Sequence, residues 1–89
     1  MIVDWRPRAV RRLDKIHAHT SEGRFLAADA VFDTIVAAAA TLPSHPYAYR
    51  EGRVPNARDG QLPNYIIVYR VKRDRILIVN VLHARQCYP

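Results

Sequence analysis

Apolar positions along this chain follow two different rhythms. From Leu62 to Pro89 (LPNYIIVYRVKRDRILIVNVLHARQCYP) the pattern has period two. It predicts two strands, Tyr65–Lys72 and Arg75–His83, rich in Ile, Val and Tyr and joined into a hairpin at Arg73-Asp74. Setting Lys72 opposite Arg75 fixes the register. Tyr65, Ile67, Tyr69 and Val71 then share a face with Ile76, Ile78, Asn80 and Leu82. The other face carries Ile66, Val68 and Arg70 beside Leu77, Val79, Val81 and His83, because side chains alternate along a strand. Both faces are mainly apolar, which places these strands in the middle of a sheet. Arg70, His83 and, if the strand continues, Arg85 are the polar exceptions on the second face and the first candidates for function.

Before the hairpin the rhythm is helical. Ile2–Trp5 is a short strand, and Pro7 opens a helix at the position where its preset φ helps and its missing N–H costs nothing. Arg6 stands where a capping Ser or Asp is usual, so this start lacks a side-chain acceptor. Val10, Leu13 and Ile16 form the expected buried stripe, flanked by Arg8, Arg11, Arg12 and Lys15. Ser21-Glu22-Gly23 closes the helix. A second helix runs from Arg24 or Phe25 to Leu42, with Phe25, Ala28, Phe32, Ile35, Val36, Ala39 and Leu42 at spacings of three and four. Its AAAA run offers small residues for close helix approach, and Pro43 stops it. Two helices joined this tightly make an αα-hairpin that covers one face of a sheet. Ser44–Leu62 is irregular, with one strand expected around Val54–Arg58. The order is β-α-α-β-β-β in one α+β domain spanning residues 1–89.

Charge changes this picture. The 89 residues carry 14 Lys and Arg against 8 Asp and Glu, a net +6. Twelve of the fourteen are arginine, whose planar fork suits phosphate and carboxylate. A chain so basic is expected to meet something anionic: nucleic acid, a nucleoprotein machine or an acidic peptide. The lone Cys87 forms no internal disulfide, which fits a reducing cytoplasm. Met1 leads directly into a strand-like segment, so no signal peptide is expected, and no apolar run approaches the ~20 residues that span a bilayer.

The chemistry-bearing residues gather near the C-terminus: His83, Arg85, Gln86 and Tyr88, with Arg70 across the hairpin and Arg53 and Arg58 before it. Cleaving a phosphodiester requires a base, an acid and cations for the charged transition state, and His, Tyr and Arg supply these without metal. A strand-ending histidine among solvated arginines fits the same pattern. No metal site or cofactor is expected. His17 and His19 point to different sides of a helix, His45 stands alone, and no ligand spacing or glycine-rich phosphate loop is present. Cys87 has no scaffold for a nucleophile. Tyr47 and Tyr49, beside Arg50 and Arg53, could stack on bases or pin the loop to the sheet.

Four segments in order, VDWRPRAVRRLDKI, EGRVPNARD, LPNYIIVYRV and VLHARQCYP, resemble the RelE/ParE superfamily of bacterial type II toxin–antitoxin toxins, and the match spans essentially the whole chain. The resemblance implies a small curved antiparallel sheet with the two helices on one face. It also implies a cytoplasmic growth inhibitor held inactive in a hetero-oligomer with a co-encoded antitoxin, ParD-like and acidic, whose amphipathic segment meets Arg8, Arg11 and Arg12. RelE-type members cleave mRNA on the ribosome, whereas ParE-type members poison DNA gyrase. RelE-like chains commonly carry an arginine three residues before the tyrosine of the third strand. Here that position is Ile66, and isoleucine holds no phosphate. His83-Ala84-Arg85-Gln86 looks like ParE-type endings, and Arg85 and Tyr88 match the terminal arginine and tyrosine.

The resemblance therefore implies a gyrase-binding toxin that blocks replication, with Arg53, Arg58, Arg70, His83, Arg85 and Tyr88 as its target-binding residues. The alternative is a metal-independent, ribosome-dependent endoribonuclease using His83, Arg85, Tyr88 and Arg70. A third possibility is a degenerate toxin serving only as an antitoxin-bound co-repressor.

Overall fold

The computed structural model describes residues 1–21 and 25–85, with only the backbone given for residues 19–21 and 25–28. Strand β1 (Ile2–Trp5) leads into helix α1 (Pro7–Ser21), then helix α2 (Phe25–Thr41) and a short 3₁₀ turn at Leu42–Ser44. Strands β2 (Arg58–Leu62), β3 (Tyr65–Val71) and β4 (Arg75–His83) complete the chain. The sheet order is β1-β4-β3-β2, so the two strands of the predicted hairpin are the central pair. The α+β architecture is as expected, with one difference in strand direction. β2, β3 and β4 are antiparallel, but β1 joins β4 in parallel, so the sheet is mixed. Both helices and two strands intervene between β1 and β4, and that length permits a parallel crossover.

The larger core lies between the helices and the sheet. Ala9, Leu13, Ile35, Ala39 and Leu42 meet Ile67, Tyr69, Ile76, Ile78 and Val81 there, with Trp5, Phe32, Val36 and Tyr49 at its margin. The α1 stripe is rotated from expectation: Ala9 is fully buried and Val10 is 40% exposed. Ala9, Leu13 and Ile16 keep the i, i+4, i+7 spacing, and alanine at the first of them lets α1 sit close to the sheet. Of the AAAA run only Ala39 is fully buried, and it faces the core.

The second face of the sheet is also covered, though by a loop. Val54 and Ala57 pack over Ile66, Val68 and Leu82. This explains why the strand expected at Val54–Arg58 starts only at Arg58. Val54-Pro55-Asn56-Ala57 is a turn, with Asn56 at φ 63° and the Ala57 N–H bonded to the Val54 carbonyl at 3.2 Å. Proline followed by a residue of positive φ is the pattern of a type II turn. Leu62-Pro63-Asn64-Tyr65 repeats it between β2 and β3, with Asn64 at φ 69°. At Gly52 the loop passes so close to Asp59 that a Cβ there would overlap the carboxylate.

The decisive irregularity is in β4. Lys72 does face Arg75, and Tyr69 pairs with Ile78, but the next residue back, Val68, pairs with Asn80. Val79 is therefore an extra residue, a β-bulge. Every position beyond it changes face relative to strict alternation. Val81 joins the helix-side core, Leu82 joins the loop-covered cluster, and His83 sits opposite Tyr65 on the helix side. The expected grouping of His83 with Arg70 is thus corrected.

Two substitutions test this arrangement. Tyr69 is fully buried, and its hydroxyl donates to the Pro46 carbonyl at 2.9 Å, tying the loop to the core. Burial raises its pKa above the ordinary 10.0, against the nearby Arg58 charge that lowers it. A raised tyrosine pKa means stability that is complete below pH 10.0 and is lost as pH rises through the folded-state value. Tyr69→Phe is expected to cost about 1 kcal/mol at neutral pH and to flatten that alkaline loss, as read by urea denaturation from pH 7 to 11. His83 packs edge-on against Tyr65 with ring centroids 5.4 Å apart. His83→Ala should therefore lower stability by about 0.5–1.5 kcal/mol, whereas a solvated His83 would leave the denaturation midpoint unmoved.

Candidate functional site

The bulge divides the sequence-predicted site. Arg70 stands on the loop-covered side of the sheet beside Leu77, half-buried, with its Nε enclosed and unbonded. His83 lies on the opposite side, and its Nδ1 accepts the Arg85 backbone N–H at 3.1 Å. Arg85 itself is exposed just past the strand. Gln86, Cys87 and Tyr88 lie outside the described residues. Arg53 is exposed in the loop over the second face. Arg58 pairs with Tyr69 on the helix side, so it too is separated from Arg70. A proton-transfer histidine and a phosphate-holding arginine need to face one reacting group. His83 and Arg70 do not share a face.

Arg58 instead organises the end of the sheet next to the loop. Its Nη1 donates to the Tyr49 carbonyl at 2.7 Å, and its guanidinium lies over the Tyr47 ring, 4.9 Å from the centroid. Of the two loop tyrosines, Tyr49 packs against the core and Tyr47 is 67% exposed. One pins the loop and the other remains available.

A second polar group forms where β1 meets the β3–β4 turn. Asp4, Arg6, Lys72, Asp74, Arg75 and Leu77 line a shallow depression. Arg75 donates to Asp4 at 3.0 Å and to Asp74 at 3.2 Å. The Asp74 carboxyl is held below its usual range by that hydrogen bond and by the Arg75 charge. Arg75 is held above its ordinary value by Asp4 first and Asp74 second. Sequence patterning missed this group because it depends on the parallel pairing that sets Asp4 opposite Leu77.

On the helix side, α1 presents Arg8, Arg11 and Lys15 to solvent. Arg12 turns inward, with its Nε donating to the Val81 carbonyl at 3.3 Å. The α1–α2 pair is clasped by His17 Nε2 and Asp29 at 2.9 Å, with the His17 ring edge-on to Phe32. Below α2, an apolar groove of about 290 Å³ is lined by Ala30, Val31, Thr34, Ile35, Leu62 and Tyr65, with Pro63 and Asn64 at its end. Among the described residues, no helix is long and apolar enough to cross a membrane.

These features match known proteins over nearly the full chain. Residues 3–88 fit the family model described as the ParE toxin of the type II toxin–antitoxin system parDE. A Sinorhizobium fredii protein named "Putative toxin Y4kP" is 38% identical over 89 residues, covering 98% of this chain and 92% of that one. A solved structure titled as the chromosomal ParDE toxin–antitoxin system from P. aeruginosa superimposes with a TM-score of 0.83 at 25% identity. That match covers 93% of this chain and 95% of the other. With the two-helix layer, the four-stranded sheet and the match over residues 3–88 agreeing, the chain belongs to the family of ParE toxins of type II toxin–antitoxin systems.

Proposed function

We propose that this toxin stops growth by binding DNA gyrase and blocking replication, without cleaving RNA itself, and that a ParD-like antitoxin neutralises it. The observation carrying this choice is Ile66. It occupies the position where the resemblance to RelE-type members calls for an arginine, and it is 8% exposed beneath the loop that carries Val54 and Ala57. An apolar, covered position there cannot hold a phosphate. The separation of His83 from Arg70 supports the same conclusion, because the groups a nuclease would combine lie on opposite faces. Arg85 is exposed beyond the last apolar pair, and Arg85 and Tyr88 are of the residue types most common as interface anchors.

The wild-type chain is expected to inhibit gyrase supercoiling and to leave mRNA intact in a translating extract. Arg85→Ala with Tyr88→Ala should abolish growth inhibition on induction while the purified variant melts near wild type. Codon-positioned mRNA fragments that vanish in the Arg85→Ala protein would overturn this function in favour of a ribosome-dependent endoribonuclease.

The antitoxin is expected to be acidic and amphipathic, setting apolar anchors in the groove under α2 and carboxylates against the arginines of α1. The ParDE title of the P. aeruginosa structure supports a ParD-like partner. Exposed charges act mainly on association rate and salt dependence. Arg8→Glu with Arg11→Glu should therefore weaken antitoxin capture by about tenfold or more at low salt, mostly through slower association, with an unchanged melting curve. Equal affinity for the reversed-charge variant would remove α1 from the interface.

A further inference from the structure

Tyr47 is the most exposed of the large hydrophobic residues among those described, at 67%. The others are Met1, just before β1, Ile2 in β1 and Val10 in α1, none of them in this loop. An exposed aromatic is commonly mobile, but this one is braced. Arg58 lies over one side of its ring at 4.9 Å, and Arg58 is itself held by the Tyr49 carbonyl at 2.7 Å. The backbone on each side is fixed as well. The Pro46 carbonyl accepts the Tyr69 hydroxyl at 2.9 Å, and the Ala48 N–H bonds to the His45 carbonyl at 3.1 Å. Tyr69 is fully buried, so the anchor reaches into the core.

The surroundings of the ring decide what it suits. A protein hot spot is an aromatic or arginine anchor ringed by contacts that exclude water. Around Tyr47 in the loop, His45, Ala48 and Arg50 are exposed, and the group shown against its ring is the Arg58 guanidinium. Among the described residues neither Arg50 nor Arg58 is in an ion pair. A flat ring backed by one guanidinium, with exposed Arg50 three residues further along the same loop, suits a nucleotide, with the base on the ring and the phosphate on a cation. A base inside a duplex has no free face to offer, so the ligand must be unpaired.

We propose that the Tyr47–Arg58 stack, with Arg50, is a seat for one unpaired nucleobase and its adjoining phosphate, giving this toxin a contact with single-stranded nucleic acid. The seat does not depend on gyrase being the target. Acidic Glu51 follows Arg50 directly, which limits the electrostatic part to about one phosphate. Base stacking therefore dominates the preference for single strands.

Fluorescence anisotropy of the full chain with labelled dT12 and with a 12-base-pair duplex tests the seat. Tyr47→Ala is expected to weaken dT12 binding roughly 5- to 150-fold and to leave duplex binding, a general effect of the +6 charge, unchanged. Tyr47→Trp should retain or strengthen dT12 binding, which a purely structural role for the tyrosine would not produce. Arg50→Ala, a surface change, should reduce the slope of log affinity against log salt by about 0.7. Unchanged dT12 affinity in Tyr47→Ala overturns the proposal, as does an equal loss for single strand and duplex. Loss of toxicity in Tyr47→Ala with oligonucleotide binding intact also overturns it, and assigns the stack to a protein partner.

Discussion

The extra residue in β4 sets which side chains of this small sheet meet the helices and which do not. At Val79 the strand advances two residues while β3 advances one, and a side-chain period of two means that such a slip reverses both faces beyond it. Without it, Asn80 would point at α1 and α2 and Val81 would face away. With it, the fully buried Val81 completes the main core and Asn80 turns to the other side, opposite Val68. The polar group is then used locally: Asn80 Oδ1 accepts the Val81 N–H at 2.9 Å. Arg12 from α1 donates to the Val81 carbonyl. β1 ends opposite Ile78, so both backbone groups of Val81 are bonded by side chains where the β1 ladder has stopped. Buried backbone polar groups left unbonded are costly, and an open strand edge invites unwanted pairing.

At the other end of the sheet the equivalent device is the loop between α2 and β2. β2, RDGQL, contains no β-branched residue and holds its place by pairing and not by propensity. Gly60 in it lies against Ile67 and the Tyr69 ring, leaving room for the buried tyrosine. The outer side of β2 is met by the loop, through the Asp59 N–H to Arg50 carbonyl bond and the Glu51–Arg58 bridge. The same loop carries Val54 and Ala57 back across the second sheet face and presents Tyr47 to solvent. One irregular segment therefore seals a sheet edge, closes a core and displays an aromatic ring.

The arginines are consequently distributed and not pooled. Arg8 and Arg11 line the outer helix, Arg58 backs Tyr47, Arg50 is exposed further along the same loop, Arg70 and Arg75 lie on the loop-covered side, and Arg85 follows the last strand. A basic chain of this kind can serve several anionic contacts at once, which suits a toxin that meets both an antitoxin and a target. Surface charges so spread give steering and specificity more than fold stability.

By itself the sequence determined the element order, the central position of β3 and β4, the αα-hairpin and the Lys72–Arg75 turn, because each rests on local periodicity and turn chemistry. The RelE/ParE likeness was also legible, carried by four segments in the right order, as was the anomaly at Ile66. Three things were decided only in three dimensions. The bulge at Val79 has no local signature in a run of Ile, Val and Asn, since it depends on which register buries the most apolar surface under the helices. The parallel docking of β1 depends on a partner more than seventy residues away, so the Asp4–Arg75 pair could not be read from spacing. The start of β2 at Arg58 follows from Pro55 and Asn56 making a turn whose Val54 and Ala57 have a sheet face to cover. Periodicity reports a face, but what lies across from that face is settled by packing between distant segments.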